Sequence, residues 1–144
     1  MTRNSPAVSV LMPVRNGAKH LDEAMASLIT QTFDDFEVIA VDDGSTDGTW
    51  DQLERWASED QRIRVFRSGP RGIVDALEMA RAQARARYLA RMDADDIADR
   101  RRFALQWALL MDDPQIAGCG CGVRYFPDSV VKAGARRYET WLNS

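Results

Sequence analysis

The segment RMDADDIADR, residues 91 to 100, places four carboxylates within seven positions, directly after an apolar stretch. Asp93 and Asp95 have the i, i+2 spacing that directs both side chains to one side of an extended chain. Two carboxylates held in this way repel each other unless a cation or hydrogen-bond donors lie between them. Oxygen ligands without a nearby histidine or cysteine suit Mg²⁺ or Mn²⁺, which complete their shells with water and substrate phosphate. Asp95 and Asp93 are therefore candidate metal ligands.

Helix capping is the alternative explanation of this cluster, with one aspartate as the cap and its neighbours near the positive helix terminus. A good cap contributes roughly 1 kcal/mol and needs one or two carboxylates, so capping does not account for Asp93 as well. A second acidic pair, Asp42 and Asp43, follows another apolar run and precedes Gly44 and Ser45. A turn closed by an Asx-type hydrogen bond would explain that pair. From the residues alone, both alternatives stay open.

Short apolar runs that alternate with amphipathic stretches would position these clusters. The repeated alternation predicts an α/β fold with a mostly parallel sheet and helices on both faces. Such sheets bind ligands beyond the carboxyl ends of their strands, where both acidic clusters are expected to converge. The predicted strands are 8–14, 36–41, 62–66, 87–92 and 116–126.

The predicted helices follow the first four of these strands, and a last one lies near the end of the chain. Ser45 or Asp47 is expected to be the N-cap of the second helix. Ile73, Val74, Leu77 and Ala80 are expected to mark the third helix. The last stretch is helical and ends without a cap, which suggests a chain cut within a larger fold.

Size and composition predict one globular domain over residues 1–144, with 45% hydrophobic and 28% charged residues. The net charge of −3 gives no electrostatic reason to bind nucleic acid. No apolar run approaches the roughly 20 residues that cross a bilayer, and the amino terminus lacks a signal-peptide core, so a cytoplasmic chain is expected. Cys119 and Cys121 are expected to be small buried thiols.

Two stretches of the sequence resemble one known family. The run VSVLMPVRNGAKHLDEAMASLITQTFDDFEVIAVDDGSTDGT is similar to the opening of the family 2 glycosyltransferases of the GT-A fold, which is a Rossmann-like fold. YLARMDADD resembles their DxD segment. The resemblance implies transfer of a sugar, with inversion, from a nucleotide diphosphate donor to an acceptor hydroxyl. It also implies a divalent cation, Mn²⁺ or Mg²⁺, and a donor that is usually a UDP-sugar.

Position by position, the resemblance assigns a nucleotide-binding role to several residues. Pro13, Val14 and Arg15 occupy the stretch that lines the nucleotide pocket, although family members often have an aromatic residue in place of Arg15. Asp43 matches the acid that accepts a hydrogen bond from the nucleobase. Arg71, in GPRG, matches a region near the base and the diphosphate.

The resemblance also assigns roles to the DxD segment and to a region beyond Ser144. Asp93 would approach the ribose or the metal, Ala94 would be part of the nucleotide-binding site, and Asp95 would bind the cation that bridges the phosphates. The family's general base lies on the acceptor side, beyond the region that corresponds to Ser144, so no catalytic residue is assigned here. We expect the donor-binding part of a larger glycosyltransferase domain, with weak nucleotide binding and little or no transfer by this chain alone. The acceptor would be a glycan, a lipid-linked sugar or another hydroxyl, with cell-envelope polysaccharide synthesis and peripheral contact with the inner face of the membrane as family-level expectations.

Other functions also fit carboxylates at strand ends. A nucleotidyltransferase would show a glycine-rich, basic phosphate loop after the first strand, and PVRNGAKH is not such a loop. A phosphoacceptor receiver domain would need a lysine near the end of the fifth strand, and Lys132 comes too late. A nucleotide-binding module without chemistry of its own remains a further alternative.

Overall fold

A parallel sheet of four strands forms the core of the computed structural model, which describes residues 5–144. The strand order is β3-β2-β1-β4, and all neighbouring pairs are parallel. This confirms the predicted α/β class. The elements are β1 (Val8–Val14), α1 (Leu21–Ile29), β2 (Phe36–Asp43), α2 (Thr49–Glu59), β3 (Ile63–Ser68), α3 (Ile73–Gln83), β4 (Tyr88–Arg91), α4 (Arg102–Asp112) and α5 (Ala133–Leu142).

The two central strands, β1 and β2, are covered on both faces. Leu11, Ile39 and Val41 pack against Ala76 and Ala80 of α3, whose small side chains let the helix approach the sheet closely. The alternate positions of the same strands are fully buried as well: Val10, Met12, Val38 and Ala40. Burial on both faces explains why these strands appear in the sequence as continuous apolar runs.

The four residues predicted to mark the third helix all lie in α3, so this helix prediction is confirmed. Ala80 is buried and Leu77 is partly buried, whereas Ile73 and Val74 in the first turn are 52% and 68% exposed. The sheet contact begins with Ala76, one turn later.

The N-cap of α2 also differs from the prediction. Gly48 occupies the cap position, and its residue type provides no side-chain hydrogen bond. Asp47 instead accepts hydrogen bonds from the backbone N–H and the hydroxyl of Thr49, and Ser45 accepts one from Asn16. Neither predicted residue occupies the N-cap position, although Asp47 satisfies the backbone N–H of Thr49, the first residue of α2.

The chain divides into two compact units, and the second is Leu105–Ser144. The predicted strand at 116–126 was wrong: these residues form no strand. Val123 exchanges hydrogen bonds with the Asn143 side chain, and the Tyr125 N–H donates to Glu139, so side chains near α5 satisfy backbone groups that a neighbouring strand would have paired. The glycines of the run also weaken a strand.

No residue of Leu105–Ser144 is buried. Cys121 is exposed and Cys119 is half-buried, so the expectation of buried thiols was wrong. Neither thiol lies in an apolar core because this unit has none of its own. Within the part of the chain that the structure describes, no helix is both long and apolar enough to cross a membrane.

Candidate functional site

The two acidic clusters lie at one edge of the sheet. Val14, the last residue of β1, pairs with Asp42 in β2, and Leu11 pairs with Arg91, the last residue of β4. The Met92 N–H continues this pairing by donating to the Leu11 carbonyl. Because the strands are parallel, the loops after β1, β2 and β4 all leave from the carboxyl edge, where α/β sheets bind their ligands.

Asp43 is a buried carboxylate that holds the loop before α3. Its Oδ1 accepts a hydrogen bond from the Arg71 N–H at 2.8 Å and one from the Ser68 hydroxyl at 3.3 Å. Its Oδ2 accepts one from the Gly72 N–H at 2.9 Å. A carboxylate offers about four acceptor positions, so these three donors leave capacity for one more.

The surroundings keep Asp43 ionised. Burial by itself would raise its pKa, but the N–H groups of Arg71 and Gly72, the Ser68 hydroxyl and the charge of Arg15 outweigh that effect and hold the pKa below its ordinary value. The nearest Arg15 nitrogen lies 4.0 Å from Oδ2, and the Arg15 side chain is more than half exposed. Asp43 is therefore an acceptor for an N–H donor at neutral pH, with the exposed positive charge of Arg15 beside it.

Gly44 allows the loop after β2 to pack on the loop that carries Arg71. Its φ of +73° lies in the left-handed region, and a Cβ at this position would lie 3.0 Å from the Pro70 ring. The requirement for glycine thus comes from the backbone conformation and from the close approach of Pro70. The contact between Gly44 and Pro70 keeps Asp43 and Arg71 close to each other at the carboxyl edge of the sheet.

Asp42 has a structural role that differs from that of Asp43. It is fully buried, its Oδ1 accepts a hydrogen bond from the Ser45 N–H at 3.0 Å, and its Oδ2 lies 3.2 Å from Nε of Arg67. Arg67 in turn lies over the Trp50 ring. The turn explanation of the acidic pair therefore holds for Asp42.

Hydrogen bonds between backbone and side chains fix the loop after β1 to the loop after β2. Asn16 has a φ of +51°, and its N–H donates to the Ser45 hydroxyl at 2.9 Å. The Asn16 Oδ1 accepts from the Thr46 N–H at 2.9 Å. The Gly17 N–H donates to the Thr49 hydroxyl, also at 2.9 Å. These bonds determine where Arg15 leaves the backbone, and the sequence did not indicate this role for any of the residues that make them.

The end of β1 also lies close to the segment that follows β4. Val14 is buried and Pro13 is half-buried. A Cβ at Gly17 would lie 2.9 Å from Cγ1 of Val14 and 3.7 Å from Cβ of Ala94, which is itself buried. Of the predicted nucleotide-binding residues, Val14 and Ala94 thus form the floor beneath the loops, whereas Arg15 and Arg71 are exposed above it.

The carboxylates after β4 are accessible to solvent. Asp93 forms an ion pair with Arg91, with 3.1 Å between Nε and Oδ1, whereas Asp95 is exposed and has no ion pair or side-chain hydrogen bond within residues 5–144. Asp96 is exposed as a residue, yet partial loss of hydration at its carboxyl group raises its pKa, and the charges of Asp95 and Asp93 raise it further. Like charges are therefore crowded here, and Asp96 is a member of the cluster that the predicted ligand set omitted.

The carboxylates after β4 could hold a divalent cation only if a substrate phosphate completed the coordination of the ion. Over residues 5–144, no group of three or more histidine, cysteine, aspartate or glutamate side chains is arranged to hold a metal ion. Mg²⁺ commonly binds through one or two carboxylates together with substrate phosphates and water. The exposed Asp95 and its crowded neighbour Asp96 match that mode, whereas Asp93 is already paired with Arg91.

Comparison with known proteins gives a consistent result. The sequence matches the profile described as "Glycosyl transferase family 2" over residues 9–144. An uncharacterized glycosyltransferase of Haemophilus influenzae is 38% identical over 96 residues, which are 66% of this chain and 30% of that protein. The Bacillus subtilis glycosyltransferase TuaG, whose name places it in teichuronic acid biosynthesis, is 34% identical over 78% of this chain and 45% of its own length.

Solved structures show the same fold. TarS 1-349 of S. aureus in complex with UDP-GlcNAc has a TM-score of 0.64 and 27% identity, over 73% of this chain and 31% of that one. The mannosyltransferase PcManGT of Pyrobaculum calidifontis, in complex with GDP-Man and Mn²⁺, has a TM-score of 0.69 and 27% identity, over 78% and 34%. This chain thus spans between 30% and 45% of the length of these four relatives. The resemblance seen in the sequence is confirmed, and the chain belongs to glycosyl transferase family 2.

Proposed function

We propose that this chain binds the nucleoside diphosphate part of a sugar donor at the carboxyl edge of its sheet, as the donor-binding part of a larger glycosyltransferase domain. Membership of the family supports sugar transfer as the reaction of the whole protein. The observation that carries the proposal is the buried, ionised Asp43, which keeps one acceptor position open between Arg15 and the Arg71 loop.

Asp43 would accept the ring N–H of a nucleobase. Uracil has one such N–H beside two carbonyl oxygens, which suits a single remaining acceptor position on the carboxylate and a nearby guanidinium. Arg15 is exposed, so it could stack on the base or pair with a phosphate without losing an existing strong contact. Pro13, Val14 and Ala94 would form the surface below the nucleoside. We propose UDP as the nucleotide, since relatives of the same fold are known in complex with UDP and UDP-GlcNAc.

The carboxylates after β4 would hold the diphosphate through a divalent cation. Asp95 would be the main ligand, and Asp93 would reach the ribose or the cation only by leaving Arg91. When bound, Mg²⁺ or Mn²⁺ would offset the negative charge that develops on the diphosphate leaving group. A related mannosyltransferase is crystallised with Mn²⁺, which supports this choice.

The remaining steps belong to the acceptor side. Inversion at the anomeric carbon requires an acceptor hydroxyl to attack opposite the leaving diphosphate, with a general base within hydrogen-bond reach of that hydroxyl. We propose that the base comes from a part of the protein that corresponds to the region beyond Ser144. The name of TuaG supports a cell-envelope polysaccharide as the acceptor class, and such an acceptor would be met in the cytoplasm at the inner face of the membrane.

Isothermal titration calorimetry tests the nucleotide and metal assignments. UDP is titrated into the native chain, Asp43→Asn and Asp95→Ala, each with Mn²⁺ and with EDTA. We expect Asp43→Asn to weaken UDP binding in both conditions and Asp95→Ala to remove only the gain that Mn²⁺ provides. Equal heats from the native chain and Asp95→Ala in Mn²⁺ would contradict the metal assignment, and tighter binding of GDP than UDP would contradict the choice of base. A transfer assay with the whole protein and a UDP-sugar separates an enzyme from a binding module.

A further inference from the structure

We propose that Gln31 is a positioning residue that fixes the carboxylate loop, defined as residues 93–101, and thereby sets the affinity of the site for a divalent cation. The inference rests on the proposed metal role of Asp95. Gln31 lies just beyond the end of α1, more than sixty positions away in sequence from the residues that it holds.

The carboxylate loop needs support from outside itself. It has no regular secondary structure, and a hydrogen bond from the Asp96 N–H to the Asp93 carbonyl forms one turn within it. Asp93, Asp95 and Asp96 lie within four positions, and like charges so close repel each other. Repulsion would spread the side chains apart unless the backbone that carries them were held in place.

The side chain of Gln31 connects the end of the loop to the first turn of α4. It is 7% exposed. Its Nε2 donates to the Asp99 carbonyl at 2.7 Å and to the Ser27 carbonyl at 3.1 Å. Its Oε1 accepts from the Phe103 N–H at 3.1 Å, one of the donors that a helix leaves unpaired at its start. One buried amide therefore satisfies backbone groups on both sides of the boundary between loop and helix.

Two neighbours of Gln31 extend this support along the loop. Ser27 lies one helical turn earlier, and its hydroxyl accepts a hydrogen bond from the Ala98 N–H at 3.0 Å. The Thr32 N–H donates to the Arg100 carbonyl at 2.9 Å. The end of α1 thus binds the backbone from Ala98 to Phe103.

Anchors on both sides leave the metal-binding part of the loop little freedom. Before it, the Met92 N–H is bonded to Leu11 of the sheet. After it, Ala98 and Asp99 are bonded to Ser27 and Gln31. The short span between the anchors carries Asp95 and Asp96. Since Mg²⁺ and Mn²⁺ demand a narrow range of ligand positions, affinity should depend on these anchors, and loss of such supporting residues typically costs about 10- to 100-fold in metal affinity.

The test measures how much Mn²⁺ tightens UDP binding, as the ratio of the dissociation constants in EDTA and in Mn²⁺. Gln31→Met keeps the length of the side chain but removes both hydrogen-bonding groups, and Ser27→Ala removes one anchor while keeping a good helix former. Ser9→Ala is the matched control, because Ser9 is a buried hydroxyl that bonds Glu37 and the Ala86 N–H at the amino edge of the sheet. Asp95→Ala is the reference variant, in which the Mn²⁺ effect is expected to be lost completely.

We expect Gln31→Met to lower the Mn²⁺ effect by about 10-fold with little change of the dissociation constant in EDTA. Ser27→Ala should lower it less, and Ser9→Ala should leave it unchanged even where its melting temperature falls. If Gln31→Met and Ser27→Ala both keep the native Mn²⁺ effect, the inference about Gln31 is contradicted, whatever the stability of the two variants. The metal assignment would not be affected by that result. If Gln31→Met does not fold, Ser27→Ala decides by itself. Absence of any Mn²⁺ effect in the native chain overturns the metal assignment, and this inference with it.

Discussion

At the scale of single residues, Asp43 combines a structural contact with a free acceptor position. Its carboxylate binds the N–H groups of Arg71 and Gly72 at the start of α3, where the helix dipole also favours a negative charge. The same contacts lower its pKa and keep it charged. Binding of a nucleobase would then add one donor to a group already fixed in position, so little ordering remains to be done when the ligand arrives.

Asp43→Asn should therefore weaken both folding and UDP binding. One of the two N–H donors, Arg71 or Gly72, would face an amide NH₂ group, and a buried donor without a partner costs about 1–3 kcal/mol. We expect the free energy of unfolding in urea to fall by that amount and UDP affinity to fall at least as much as in Asp95→Ala. Ser68→Ala is the control, because it removes a longer bond of 3.3 Å and should change both quantities less. A variant Asp43→Asn with native stability would show that the loop is held by other contacts.

Glu37 shows how a buried charge at the opposite edge of the sheet makes stability depend on pH. It is 1% exposed and accepts hydrogen bonds from Ser9, Arg64 and Arg85. Burial alone would raise its pKa, but these donors outweigh that effect and lower it below the ordinary value of 4.5. A lowered pKa in the folded state means that the contribution of Glu37 is fully present above the unfolded-state pKa and is lost as the pH falls through the folded-state pKa.

The free energy of unfolding should therefore decrease as the pH is lowered below 4.5. Glu37→Gln cannot lose a proton, so its stability should be lower at neutral pH but should fall less steeply in acid. Urea unfolding of both proteins at a series of pH values between neutrality and pH 3 measures the two slopes. Parallel slopes would mean that other carboxylates cause the acid sensitivity.

At the scale of elements, the loops after β1, β2 and β3 form one interlocked unit. In the loop after β2, Ser45 and Thr46 form hydrogen bonds with Asn16 of the loop after β1. Gly44 of the same loop packs on Pro70 of the loop after β3. The DDGSTDGT segment that resembles the family motif therefore does more than carry Asp43. It holds together the two loops from which Arg15 and Arg71 project.

Gly44→Ala should disturb this unit strongly, and Gly48→Ala should not. At Gly44 a Cβ meets both a φ of +73° and the Pro70 ring at 3.0 Å, and such strain costs about 1–3 kcal/mol. At Gly48, four positions later, a Cβ has nothing within 4 Å, and a change from glycine to alanine at an N-cap costs about 1 kcal/mol or less. Urea unfolding and UDP titration of both variants measure the difference. Equal losses in the two would show that the contact with Pro70 is not needed.

A strand could be predicted from the sequence only where its burial left a recognisable pattern of apolar residues. The first four strands agree with the structure to within two residues at each end. β1 and β2 are continuous apolar runs because both of their faces are buried, whereas β3 and β4 are only partly buried. The run at 116–126 has similar apolar residues but also glycines, and α5 side chains take its backbone hydrogen bonds. Its hydrophobicity therefore did not indicate a strand.

The same limit applies to the candidate site. Asp43, Asp93 and Asp95 became candidates because unusual charge follows apolar runs, and the family resemblance then assigned their roles, which stay predictions. Asn16 and Gln31 did not become candidates, because each acts on backbone groups brought close by the fold, 30 and 68 positions away. A single polar residue at the end of a helix or strand has no distinguishing local pattern.

At the scale of the whole molecule, the sheet separates two polar regions with different tasks. Glu37 and Ser9 lie near the amino ends of the strands and bind the backbone before β4 through Arg85 and Ala86. The candidate donor site lies at the carboxyl ends. Between the two edges, the central strands β1 and β2 are buried and mostly apolar, so ligand binding at one edge should have little effect on hydrogen bonds at the other.

Hydrogen exchange followed by mass spectrometry tests this separation. With UDP and Mn²⁺, we expect slower exchange of backbone amides in 13–18, 43–46, 69–72 and 93–99, because ligand contacts add to the free energy of opening these loops. Amides of 84–87 are the internal control, since the Arg85 and Ala86 N–H groups donate to Glu37 and Ser9 at the opposite edge. Asp95→Ala should lose the change at 93–99 but keep part of that at 69–72, where Asp43 acts without a metal. Equal protection of 84–87 and 69–72 would contradict a site confined to the carboxyl edge, because it would mean that the nucleotide stabilises the sheet as a whole.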